Sequence, residues 1–147
     1  MNIISIYPHP MDDQYRHDQN VTMIKNNEIY SYEESKLRGS KSDEAISFPI
    51  RSIFMGFKQL KINPKNIDFW VFPVPSKKIN LKIYKFFFVD FFKTTNLKNL
   101  KSFLKEKVVF VKHHDAHIYT GFFSSDLKQS DIISIDGGGD MGDERRM

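Results

Sequence analysis

"VTMIKNNEIYSY", residues 21–32, consists of two short β-prone runs on either side of Asn26 and Asn27. Asparagine tolerates the positive φ angles that a two-residue hairpin turn demands at both central positions, so this stretch predicts an antiparallel hairpin closed by Asn26-Asn27. Upstream, "NIISIY" (residues 2–7) is another β-branched run, ending at Pro8, where a missing N–H interrupts any sheet ladder. Three antiparallel strands are therefore expected to open the fold.

Beyond the hairpin the apolar period changes. In "FPIRSIFMGFKQLKI" (residues 48–62), Pro49 suits a first helical turn, and Ile50, Ile53, Phe54, Phe57 and Leu60 fall on one helical face. "INPK" breaks that helix, and "NIDFWVF" (residues 66–72) reads as a buried strand. Residues 76–107 are expected to be helical with a break near residues 94–96. "VVFV" (residues 108–111) then reads as a strand, the histidine-rich stretch as a helix, and "DIISI" (residues 131–135) as a final strand. The order β-β-β-α-β-α-β-α-β defines an α/β protein of RNase H-like type, a mixed sheet opening with a three-stranded antiparallel meander and helices packed on it. Strands near residues 3–7, 21–25, 28–32, 67–72, 108–111 and 132–135 are expected to share that one sheet.

Composition sets the outer bounds. A chain of 147 residues with 40% hydrophobic side chains and 14 Phe has the size of one domain and the means to build a core. It has no cysteine, which excludes disulfides and thiolate metal sites and fits a cytoplasmic location. The N-terminus lacks the basic and apolar regions of a secretory signal. "FFFVDFF" (residues 86–92) is far too short to span a bilayer, so no membrane partner is expected. The net charge of +4 is spread along the chain. In "KKINLKIYKFFFVDFFK" (residues 77–93) lysines alternate with aromatics as an amphipathic segment does, lysines in water and phenylalanines inward, so a nucleic-acid partner is not expected either.

The chemistry gathers in "HHDAHIYTGFFSSDLKQSDIISIDGGGD" (residues 113–140). His113 and His117 are four residues apart, one turn on one face of a helix, and two imidazoles so placed can share a metal ion. The positive end of the helix favours the neutral, ligating imidazole. The zinc-protease pattern is not met, because His114 stands where its glutamate would be. Asp136 closes a β-branched run and is followed by Gly137, Gly138 and Gly139. A glycine run beyond a strand lets backbone N–H groups approach a phosphate, while the aspartate supplies a hard ligand. His113, His117 and Asp136 form a two-histidine, one-carboxylate set suited to Fe(II), Zn(II) or Mn(II).

These residues resemble the O-carbamoyltransferases that decorate nodulation factors and antibiotics. "HHDAH" followed by "SIDGGGD" is similar to the family's HHxxHA and T-I-D-G-x-G motifs at the same separation. His17-Asp18, the hairpin with its "EES" run, Phe48-Pro49 and "INPKNIDFWVF" resemble further family segments. Gln19 and Asn20 stand where the family has small residues, and Ser35 and Lys36 where its acidic run ends in arginine. The resemblance implies an actin-like lobe, similar to that of the enzyme forming threonylcarbamoyladenosine in tRNA. It implies His113, His117 and Asp136 as ligands of a divalent metal, Fe(II) first, with Gly137, Gly138 and Gly139 lining phosphate and His17 serving the acceptor hydroxyl. It also implies ATP, carbamoyl phosphate and a hydroxyl acceptor as small-molecule partners, with carbamoyl-adenylate as the donor. On this reading residues 1–147 are the N-terminal lobe of a larger enzyme, truncated before the second lobe and the adenylate-forming domain, and inactive alone. The alternatives are an orphan metal- or partner-binding lobe and an actin-like kinase, the latter offering no reason for the paired histidines.

Overall fold

A computed structural model describes residues 1–7, 19–39, 48–73 and 81–134. Its centre is a five-stranded mixed sheet with helices packed on it. Strands β1 (Asn2–Tyr7), β2 (Asn20–Lys25) and β3 (Glu28–Glu33) form the expected antiparallel meander. Asn26 and Asn27 turn it at φ 52° and 66°, the left-handed pair that matches strand twist. β4 (Phe69–Phe72) and β5 (Val108–Phe110) then add in parallel, β4 beside β1, so the spatial order is β3-β2-β1-β4-β5. Between β3 and β4 lie α1 (Glu34–Arg38), α2 (Ile50–Leu60) and a single 3₁₀ turn (Pro64–Asn66).

The pleat decides which side chains are inside. Ile4, Ile6, Val21, Met23, Trp70 and Phe72 are fully buried, and the register sets Ile4 beside both Met23 and Trp70 on one face. α2 lies over β2 and β3, burying Ile53, Phe57 and Leu60. Phe54 of the expected apolar stripe is instead 51% exposed. The stripe is broader than the contact, and Gly56 marks the closest approach: a Cβ there would meet Met23 Sδ at 2.6 Å. Lys25 Nζ donates to the Leu60 carbonyl at 2.7 Å, tying the last turn of α2 to β2.

The expected helix over residues 76–107 is observed in pieces, residues 76–80 lying outside the described residues. α3 (Leu81–Tyr84) continues into a π-helix (Lys85–Phe91), residues 92–99 form the break, and α4 (Leu100–Lys107) follows. The wider π turn follows from the phenylalanine spacing. Phe92 N–H reaches the Phe87 carbonyl at 3.0 Å, five residues back, which brings Phe92 onto the face of Phe87 and Phe88. All three rings pack on Trp70 at centroid distances of 5.6, 5.2 and 5.7 Å for Phe87, Phe88 and Phe92. Phe86 and Phe91 are left at the surface. Aromatic packing overrides the α-helical ladder here.

One expectation is corrected. Residues 132–134 do not join the sheet; they carry no secondary structure, and Ile133 is 84% exposed. A β-branched run becomes a strand only when another backbone satisfies its N–H and C=O groups, and among the described residues β5 is an edge of the sheet. No helix among the described residues is long and apolar enough to cross a membrane.

Candidate functional site

Because β1, β4 and β5 are parallel, their carboxyl ends at Tyr7, Phe72 and Phe110 line one edge of the sheet. The antiparallel pairing adds Asn20 and Glu33 to that same edge, since Tyr7 pairs with Asn20 and Asn20 with Glu33. Five strand ends thus converge where open α/β sheets gather ligands.

The histidine helix starts at this edge. Two residues after β5, α5 (His113–Phe123) begins, with Lys112 as its extended N-cap and no side-chain cap on its first amides. The Ala116 N–H bonds the Lys112 carbonyl at 2.9 Å, so the first turn is regular, and His113 and His117 stand one turn apart as the spacing predicts. Asp115 lies in that first turn, where the helix dipole favours an acid. His114 and His117 are exposed, within reach of a ligand arriving from solvent. The HxxxH pattern is a helical pair at the carboxyl edge.

The other predicted residues, His17, Asp136, Gly137, Gly138 and Gly139, lie outside the described residues. The segment carrying His17 is tethered at both ends to the same edge, through Tyr7 and through Gln19-Asn20. The sequence supplies donors of the type a borderline divalent metal accepts, two imidazoles at helical spacing and no thiolate. Among the described residues alone no group of three or more metal-ligating side chains forms.

One buried polar arrangement escaped the sequence reading. The Glu34 side chain is buried, and its carboxylate accepts from Ser52 N–H at 2.8 Å, Arg51 N–H at 3.4 Å and Arg38 Nε at 3.1 Å. It caps the first turn of α2, where Pro49 offers no side-chain cap. Glu34 N–H also donates to the Gln19 carbonyl at 2.9 Å, so one residue joins the end of the His17 segment to α2 at the carboxyl edge of the sheet. The signal was present in "EESKLRG": acid and base four apart, then Gly39, whose φ of 74° ends the helix left-handed.

No protein-family model matches the chain, and no curated protein matches it in sequence.

Proposed function

We propose that the chain is an RNase H-like, actin-like lobe of an ATP-dependent O-carbamoyltransferase, passing a carbamoyl group from carbamoyl-adenylate to a hydroxyl of a sugar-like or natural-product acceptor. The observation that carries the reading is the start of the His113–His117 helix at the carboxyl edge of the parallel strands, the edge to which the His17 segment is also tethered. The strand order β3-β2-β1-β4-β5, antiparallel then parallel, supports the RNase H-like assignment.

His113, His117 and Asp136 would hold Fe(II), Zn(II) or Mn(II). When bound, such an ion supplies Lewis-acid neutralisation of the donor phosphate. Gly137, Gly138 and Gly139 would offer backbone N–H groups to phosphate oxygens, where the absence of Cβ atoms permits close approach. His17 would accept the proton of the acceptor hydroxyl as its oxygen attacks the carbamoyl carbon and the bond to the adenylate oxygen breaks. The buried Glu34 clamp would keep the His17 segment and α2 in fixed relation.

The test is metal content. The purified chain, reconstituted with Fe(II) or Zn(II) and freed of excess ion, is expected to retain metal, and His117→Ala and Asp136→Asn to lose it. Equal retention by all three proteins would overturn the reading.

A further inference from the structure

We propose that the chain docks on an anionic lipid surface through an aromatic patch on the outer side of its helices, formed by Phe54, Phe86 and Phe91 and rimmed by lysines. Two elements build the patch: Phe54 projects from α2, and Phe86 and Phe91 from the π-helix. Five residues apart, Phe86 and Phe91 would diverge on an α-helix, but the wider π turn stacks their rings at 5.8 Å with 25° between the planes. Phe54 meets Phe91 edge-on at 5.6 Å. Packed together in this way, Phe54 and Phe86 are still 51% and 54% exposed and Phe91 37%, with Met55 beside Phe54 at 41%. A contiguous apolar surface with a polar rim marks an interaction site.

The charges around the rings select what covers them. On α2 and residues 81–93 the exposed charges are Arg51, Lys58, Lys82, Lys85 and Lys93, against the single acid Asp90. Arg51 stands three residues before Phe54 and Lys58 four after it, so both flank the ring on its own helix face. Lys82 lies one turn before Phe86, and Lys93 follows Phe91 where the chain leaves the helix at φ 52°. Cations around an apolar centre complement a surface that is negative at its face and apolar beneath, which is what an anionic bilayer presents. Lysine stems lie along apolar surface while their ammonium groups reach lipid phosphates.

A protein partner fits this composition less well. Protein interfaces favour Tyr, Trp and Arg at their centres and are poor in Lys, and the rings here project outward instead of lining a groove. Lying on a membrane needs no span able to cross one, and none is present among the described residues.

Flotation of the purified chain with lipid vesicles tests the proposal. The wild type is expected to bind mixed phosphatidylglycerol–phosphatidylcholine vesicles, to bind phosphatidylcholine alone much more weakly, and to lose affinity as salt rises. Phe54→Ala/Phe86→Ala is expected to weaken binding about tenfold or more. Lys58→Glu/Lys85→Glu is expected to weaken it about fivefold or more for each cation. Lys112→Glu/Lys128→Glu changes net charge equally at exposed positions beyond β5 and should bind as the wild type does. All six side chains are exposed, so circular dichroism should be unchanged throughout. A second arm uses fluorescence: Trp70, the one native tryptophan, is fully buried, so Phe86→Trp adds a surface reporter. Its emission is expected to shift to the blue on anionic vesicles and to be quenched by bromine-labelled lipid. Equal binding to both vesicle types, an equal loss in the Lys112/Lys128 variant, or an unquenched Phe86→Trp reporter would each overturn the proposal. So would a lipid-free dimer abolished by Phe54→Ala/Phe86→Ala, which would give the patch to a second copy.

Discussion

Replacing Glu34 by alanine should be among the most destabilising single changes in this chain. The side chain is 3% exposed and serves three donors: Ser52 N–H, Arg51 N–H and Arg38 Nε. Loss of a helix cap alone costs about 1 kcal/mol. Removing one member of a buried ion pair costs about 3–5 kcal/mol, because the remaining charge keeps its desolvation penalty without the attraction that offset it. The Arg38 side chain is only 8% exposed, so the larger figure governs. Urea unfolding followed by Trp70 fluorescence should show the midpoint falling with an unchanged slope. In thermal unfolding the same loss corresponds to about 10 °C or more for a domain of this size. Glu34→Gln keeps an acceptor for Ser52 N–H but loses the charge, and should cost about 1.5–3 kcal/mol. Once Arg38→Met has removed the partner charge, Glu34→Gln should cost less than in the wild type, with a coupling of about 0.5–3 kcal/mol. A Glu34→Ala protein within about 1 kcal/mol of wild type would refute the capping argument.

Burial pushes the Tyr84 phenol well above its ordinary value, and its hydroxyl has no hydrogen-bond partner among the described residues. The folded state therefore resists ionisation that the unfolded chain undergoes near about pH 10, so this group's stabilising contribution is intact below that pH and is lost above it. Tyr84→Phe should soften the alkaline loss of stability and raise stability at neutral pH by about 1 kcal/mol, since an unsatisfied buried hydroxyl disappears; a variant less stable than wild type at pH 7 would contradict this. In the hairpin, Asn26→Val forces a β-branched residue to positive φ and should cost about 1–2 kcal/mol, whereas Asn27→Gly should be neutral or stabilising; equal unfolding midpoints for the two variants would count against the turn assignment. Trp70→Ala removes the ring on which Phe57, Phe87, Phe88 and Phe92 pack and should cost about 3–5 kcal/mol in urea unfolding followed by circular dichroism.

What the sequence determined by itself was local. The Asn26-Asn27 turn, the inward face of α2 at Ile53, Phe57 and Leu60, the break after the phenylalanine run and the helical spacing of His113 and His117 each follow from a few neighbouring residues. Dihedral preference and side-chain period act over one or two turns of chain, so they are legible without knowing the fold. The tertiary structure alone decided what depends on distant partners. β4 pairs with β1 across more than sixty residues, which puts Tyr7, Phe72 and Phe110 at one edge and brings the histidine helix to the edge that anchors the His17 segment. Glu34 became a buried cap only because α2 folds back over it. Residues 132–134 carry two β-branched isoleucines, yet stay off the sheet, while Val108–Phe110 joins it beside β4. Strand propensity describes a side chain's fit to a pleated surface, and whether a neighbouring backbone is present to complete that surface is settled by the whole chain.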